Sequence, residues 1–577
     1  MIRQSLISFT PITKAKVEDQ PVKKQVNIYT QKSFDMYDRD ESLYIKEENS
    51  TQQKTYLEQF LTCIYTVLLD ESHLFNEDEL NIVQAFQLIS EESQLLYIKL
   101  FNRKWKWIRT SSLDPIFSSF NFSELKENNL ILSNEIHKCE EWIRLLTKTE
   151  LVSLAQLYHI KHHSLNKPRL LQKLLEVREH SSLIISRTEI EEKLCDRIKS
   201  IIGDVVMLTE NTRNLFQKFF IIFERISIWP DKDQFMLNSI LTNTNNDHPC
   251  KRTFAKLNVN RLSIFWARRS DVEEFIHYLK LEHKLRLLLE EENWDDVSSH
   301  LNEVLIPWRL IAQQKESHVT GIPFFSVFTA GWVMTRTLGL IYQAMFRLKL
   351  YQQSVNLLEE LCNQRLFYCR RRGLWYDERT KLLDCYIDKL QARRVCKEAL
   401  SDPYVKTHHR SSILRRLKRL TNKLPGVPLE LMNTELSYAI RNTTIYAVKI
   451  ANESSKQTLR VQLLDEEGET LHVEDYALKY YEKFGWKGKH SETSVFTTIF
   501  GILFWDILFD SSIPGVFNSP FQSAPLDYKT EYFYHSRQVM IDAKLKSIEN
   551  GDACNIIIQV CERERPTQTI CVGKFYD

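Results

Sequence analysis

The sequence predicts a mostly helical, multidomain protein that ends in an α/β portion. Three observations carry this expectation. From Tyr56 to about residue 435, apolar residues recur at intervals of three and four, as in helices with one buried face. From about Thr458 the pattern becomes alternation, with Leu459, Val461 and Leu463 set against Arg460 and Gln462, as in a strand covered on one side. At 577 residues the chain is also longer than a single core sustains, so several domains are expected.

Composition narrows the function classes. Lys and Arg total 77 against 75 Asp and Glu, so net charge does not announce a nucleic-acid partner, and any such partner must be met by local patches. The 11 cysteines are scattered, with no CxxC pair, which fits reduced thiols in a cytosolic or nuclear protein. Met1-Ile2-Arg3-Gln4 leads into a polar segment, unlike a secretory signal. The longest apolar run, Ile499 to Phe509, is interrupted by Asp506 and is too short to span a bilayer. A soluble intracellular protein is expected.

Residues 1–54 show no periodicity and read as a disordered arm. A helical domain is expected over 55–265, opened by Leu57, Phe60, Leu61, Ile64 and Val67 on one face. Within it, Leu95 to Trp107 mixes apolar and basic side chains and closes on Trp105 and Trp107. Aromatics beside basics can stack on bases and touch a backbone, although aromatics are more often core and basics merely solvated. Two short helices follow, one from Leu146 and one through Lys167 to Leu175, joined by a connector holding Lys161, His162 and His163. Pro168 suits a first helical turn, and Lys167, Arg169 and Lys173 lie close enough together to neutralise phosphates. A plain structural hairpin fits this pattern too.

Over 266–435 helical pairs are expected. Trp294, Val297, Leu301 and Val304 share their spacing with Tyr351, Ser354, Leu358 and Leu361, the rhythm of a degenerate tetratricopeptide unit. Two basic clusters stand out, Arg370-Arg371-Arg372 and Lys406 to Leu420. In the second, Ile413, Leu414, Leu417 and Leu420 face a core while Arg415, Arg416, Lys418 and Arg419 point elsewhere, and no acidic residue interrupts the stretch. A solvated face normally mixes signs, so this unmixed charge favours phosphate contact.

Residues 436–577 form the α/β portion. A Gly-punctuated basic loop, Gly485 to His490, meets Ser491-Glu492-Thr493-Ser494 and then an apolar run from Val495. The run is apolar nearly all round, which predicts a buried helix whose free N–H groups are met by those oxygen-bearing side chains. Glu492 would sit at its start, where the helix macrodipole alone also favours a carboxylate.

From roughly Tyr56 onward these segments resemble the Fanconi-associated nuclease family. The likeness rests on Leu96-Tyr97 to Trp107, the basic loop with Glu492 and the Trp505-Asp506 helix, Ile513-Pro514-Gly515-Val516-Phe517, and Pro525-Leu526-Asp527. It implies a SAP motif at about 143–178 with Lys161, Lys167, Arg169 and Lys173 toward DNA. It further implies a TPR-like domain over 266–435 and, over 436–577, the first part of a VRR-type, restriction-endonuclease-like PD-(D/E)xK nuclease domain. Glu492 maps onto a catalytic, metal-binding carboxylate, with Mg²⁺ or Mn²⁺ as cofactor. His409 and Arg410 map onto the step that holds a 5′-terminal phosphate. Leu374 replaces the arginine expected there, so Arg371 or Arg372 would substitute. The implied activity is that of a 5′-flap endonuclease and 5′–3′ exonuclease in nuclear interstrand-crosslink repair. The implied partners are branched or flap DNA with a 5′-phosphate and Fanconi-pathway repair proteins. The family's further Pro-Asp step and Glu-x-Lys are missing after Glu492, so the chain looks truncated and inactive alone. Asp542-Ala543-Lys544 has similar letters, but Val539, Ile541, Leu545 and Ile548 give it helical spacing. Two rival readings are a catalytically inactive DNA-binding scaffold and a helical-repeat adaptor for a peptide.

Overall fold

A computed structural model describes residues 50–113, 122–136, 139–158, 160, 165–177, 187–230, 254–257, 259, 261, 265–313, 323–423, 443–449, 462–464, 468–491, 493–565, 569 and 571. The protein is mostly helical, and it divides into two compact units, residues 1–246 with 266–270, and residues 247–265 with 271–577. No helix among the described residues is long and apolar enough to cross a membrane.

The first unit opens with α1 (Ser50–Glu71), α2 (Glu77–Leu88) and α3 (Glu91–Phe101). The first helix thus begins at Ser50, inside the stretch read as an arm; the rest of that stretch lies outside the described residues. Asn76 and Glu79 form a reciprocal capping box that starts α2. The helices enclose an aromatic core in which Phe60 lies 5.0–6.5 Å from the rings of Phe86, Tyr97, Phe101, Phe216 and Phe220. The Leu95–Phe101 segment therefore spends its apolar residues on packing.

A three-stranded antiparallel sheet, absent from the sequence reading, joins this bundle: β1 (Ile108–Arg109), β2 (Ile131–Ser133) and β3 (Val205–Leu208), in the order β1-β3-β2. Strands of two to four residues are too short to show alternation. Four helices lie between β2 and β3: α4 (Cys139–Arg144), α5 (Lys148–Leu157), α6 (Lys167–Val177) and α7 (Arg187–Ile202). Leu151, Leu154, Leu170, Leu174, Leu194 and Ile198 fill their shared core. Arg109 of β1 grips Glu150 of α5 with two hydrogen bonds at 2.7 and 2.8 Å, tying the helical pair to the sheet. The unit closes with α8 (Glu210–Glu224), which packs along α1.

The second unit holds a helical stack: α9 (Arg269–Glu290, its first two residues in the first unit), α10 (Trp294–Ser299), α11 (Leu301–Ala312), α12 (Ala330–Arg347), α13 (Tyr351–Asn363), α14 (Arg372–Leu382), α15 (Lys389–Ser401) and α16 (Thr407–Lys423). From α11 onward each helix packs on the next, as in a solenoid. Leu383–Ile387 is a π-helical turn between α14 and α15. The Trp294 rhythm crosses a helix break at His300, so its residues belong to α10 and α11 rather than to one helix.

After α16 come an antiparallel sheet, β4 (Val448–Lys449), β5 (Gln462–Leu464) and β6 (Thr470–His472), then α17 (Val473–Glu482), α18 (Ser494–Leu503), α19 (Trp505–Leu508), α20 (Tyr532–Ser536), α21 (Gln538–Glu549) and α22 (Ala553–Glu564). Ile502, Trp505, Leu508, Phe533, Ile541 and Val560 form its core. Asp527 and Arg537 are fully buried and paired at 2.6 Å, and Arg537 Nε also donates to the Ile507 carbonyl at 3.2 Å. Unlike the expectation of a helix covered all round, α18 leaves Val495 46%, Phe496 75% and Ile499 39% exposed. Nor do hydroxyls cap its N–H groups. Ser494 Oγ instead donates to the Ser491 carbonyl at 2.7 Å, and Thr497 Oγ1 to that of Ser494 at 2.9 Å.

Candidate nucleic-acid interface

The basic residues fall into different environments once the helices pack. Arg372 is buried, 3% exposed, at the start of α14. Its guanidinium pairs with Asp402, Nε to Oδ2 being 2.9 Å, and also donates to the Gln364 carbonyl. It holds two turns together and is not available to substitute for the arginine missing at Leu374, which corrects one of the two alternatives. Arg371 is the other. It is exposed, sits 5.6 Å above the Tyr368 ring and donates from Nε to the Tyr368 hydroxyl at 3.2 Å. Tyr368 takes φ +52°, a left-handed backbone rare outside glycine, and this turns the following residues back across its own ring.

Arg371 lines a cavity of about 410 Å³ in the helical stack, together with Arg286, Arg336 and Arg347. Tyr342, Phe346, Tyr368 and Trp375 supply aromatic walls, and Glu378 contributes one carboxylate. Buried Glu282 accepts from Arg286 and Arg336 at 2.5 Å each. The guanidinium of Arg347 lies 5.7 Å above Trp294. Glu282 is shared by two of the four guanidinium groups, and Glu378 lies 3.7 Å from Lys381 Nζ. Arg286, Arg336 and Arg347 escape a reading by clusters, since none belongs to a run of basic residues; only folding gathers them.

His409 lies beside this cavity. A β-carbon on Gly373 would come 2.8 Å from His409 Cδ2, so only glycine lets α16 approach α14 this closely. Partial burial holds the His409 imidazole below its ordinary pKa, and His408, its ring 4.0 Å away, and Arg371 push the same way. Arg410 Nη1 donates to the Leu400 carbonyl at 2.7 Å, at the end of α15.

The charge on α16 is not unmixed in three dimensions. Ile413, Leu414, Leu417 and Leu420 are buried as their spacing predicts. Arg416 Nη2, however, donates to Asp377 Oδ1 at 3.0 Å, and Arg419 pairs with Asp384 of the π-helical turn. Both acids lie outside the stretch that contained none. Arg415 keeps its side chain exposed, with Nε on the Ser411 carbonyl at 3.2 Å.

In the first unit, Lys167 Nζ reaches the Arg144 carbonyl at 3.4 Å, Arg169 is exposed and Lys173 is half-buried on α6. Trp105 is 42% exposed, with the Arg213 guanidinium 5.0 Å above its ring. Lys161 and Glu492 lie outside the described residues. Among the described residues no three His, Cys, Asp or Glu side chains gather as a metal site. Asp542-Ala543-Lys544 lies on α21, a helix, as its spacing predicts.

Comparison with known proteins follows the same outline. Residues 273–421, the helical stack, match the family described as Fanconi-associated nuclease 1, TPR domain. Fanconi-associated nuclease 1 of Danio rerio is 27% identical, aligned over 94% of this chain and 58% of its own length. That of Homo sapiens is 26% identical, over 87% of this chain and 52% of its own. The chain thus spans little more than half of these curated relatives. The crystal structure of paFAN1 bound to 2nt 5′flap DNA with gap has the same fold, with a TM-score of 0.62 at 18% identity, covering 91% of this chain and 83% of that one. In its matched helical stack and along most of its length, this chain is similar to the Fanconi-associated nuclease 1 family, with relatives from fish to human.

Proposed function

We propose that this protein engages branched DNA carrying a 5′ flap and receives the 5′-terminal phosphate at the arginine-lined cavity of the helical stack. The observation that carries the reading is the convergence of Arg286, Arg336, Arg347 and Arg371 on one cavity of about 410 Å³. Guanidinium forks match phosphate oxygens in charge and geometry. Arg371 takes the part expected of the arginine replaced by Leu374, with His409 beside it. Arg415 on α16 and Arg169 and Lys173 on α6 are further candidates for the DNA backbone. The activity proposed is that of a structure-specific nuclease, a 5′-flap endonuclease and 5′–3′ exonuclease dependent on Mg²⁺ or Mn²⁺. Glu492 is its candidate metal-binding carboxylate, and its setting is interstrand-crosslink repair in the nucleus with Fanconi-pathway partners. The similarity to Fanconi-associated nuclease 1 and the likeness to a structure holding 5′flap DNA support this reading.

The test is binding of matched flaps that differ only in a 5′-phosphate or 5′-hydroxyl. The phosphorylated flap should bind more tightly, and Arg371→Ala should remove the difference. Equal affinities in the unmodified protein would refute the cavity as a phosphate site.

A further inference from the structure

One wall of the cavity continues outward as a strip of aromatic rings. Phe346 lines the cavity, and its ring lies 6.1 Å from Tyr351. Tyr351 in turn stacks on Tyr386, with centroids 4.0 Å apart and planes 11° from parallel. Tyr386 is 51% exposed, because it sits in the π-helical turn Leu383–Ile387, where an extra residue in the helix pushes a side chain outward. An aromatic ring left half in water is a surface for another flat ring. Cations accompany the strip: Lys381 Nζ lies 5.9 Å from the Phe346 centroid, and Lys349 and Lys389 are exposed two residues before Tyr351 and three after Tyr386. Stacked aromatics beside lysines are what single-stranded nucleic acid takes.

We propose that Tyr386, backed by Tyr351, is a stacking platform for the unpaired bases of the flap next to the 5′ terminus. This rests on the reading of the arginine cavity as the place of the 5′-phosphate. The phosphate would enter between the arginines, and the bases behind it would leave along Phe346, Tyr351 and Tyr386. Every base has a π-face, so the platform holds flaps without reading their sequence. The arrangement also gives the flap a length at which binding stops improving, set by the number of bases the strip can seat.

The experiment uses the full chain and a 5′-phosphorylated three-nucleotide flap, either with natural bases or with abasic sites in the flap. Natural bases should bind about tenfold more tightly, the size of one base–aromatic stack. Tyr386→Ala should abolish that ratio and Tyr386→Trp should restore it, while the lost Tyr351 stack lowers the melting temperature of Tyr386→Ala only slightly. A 2-aminopurine in the flap should lose fluorescence on binding the unmodified protein and keep it with Tyr386→Ala. Equal binding of natural and abasic flaps, or an equal loss on both with Tyr386→Ala, would overturn the platform. Failure of the cavity reading shows separately, as equal affinity for phosphate and hydroxyl ends with the base-dependent ratio intact.

Discussion

Arg416 of α16 donates from Nη2 to Asp377 Oδ1 of α14 at 3.0 Å, so part of the charge on the basic helix is answered by the helix beside it. Arg415, its neighbour in sequence, points to solvent. Arg415→Ala should therefore make the salt dependence of flap binding shallower by about one unit, the value of one phosphate contact. Arg416→Ala should leave the slope alone and lower stability by about 1–3 kcal/mol, since Asp377 keeps only the Ser412 hydroxyl at 3.1 Å. Denaturant melts and salt titrations of the two variants separate these roles.

Arg371 and Arg372 make a second contrasting pair. Arg372→Ala would strand Asp402 among buried groups, at a cost of about 3–5 kcal/mol, and destabilise the stack whatever the DNA end. Arg371→Ala should leave the melt unchanged and weaken only 5′-phosphorylated flaps. Urea denaturation beside end-specific binding measures both outcomes.

His409 gives a pH dependence that shows as the difference between the protein and His409→Gln. Its pKa is lowered, so it is neutral at pH 7 and gains a proton as the pH falls through its depressed value. The added charge favours phosphate, so in acid the protein should gain affinity for 5′-phosphorylated flaps relative to His409→Gln, the terminal phosphate losing the same charge at about pH 6 in both. Without DNA, this histidine opposes folding in acid, the loss beginning as the pH drops below its unfolded value of about 6.5. Flap titrations between pH 5 and pH 8 on both proteins check the sign.

In the first unit, hydrogen bonds from Arg109 pull the Glu150 carboxyl down to about 2. The native value lies below the unfolded one, so the pair's contribution is complete above about pH 4.5 and disappears as the pH falls toward 2. Acid unfolding of Glu150→Gln should lack that part of the transition. Partial solvent exposure of both side chains keeps the effect modest.

For hydrolysis, Glu492 is a single candidate carboxylate, whereas Mg²⁺ takes about six oxygens. Mn²⁺-dependent cleavage of a labelled 5′ flap should be lost in Glu492→Ala, with flap binding kept. Cleavage abolished by Glu492→Ala would show that other residues of this chain complete a metal site.

Periodicity determined the helices, because one apolar residue every three or four leaves a helix a single way to hide its face. It placed Ile413, Leu414, Leu417 and Leu420 in the core of α16 and put Asp542 on a helix. Motifs in the chain, read by resemblance, pointed to the family that the helical stack matches. Local order could not determine which charges stay unpaired, because an ion pair joins residues distant in sequence. Asp377 and Asp384 lie 39 and 35 residues from the arginines they hold, and Asp402 lies 30 from Arg372. The same limit hid the cavity, whose four arginines span Arg286 to Arg371. It also hid the Tyr351–Tyr386 stack, which exists only because α13 and the π-helical turn pack together. Helix formation is decided within a few turns of chain; a binding surface is decided by which turns meet, and that follows from packing the whole stack.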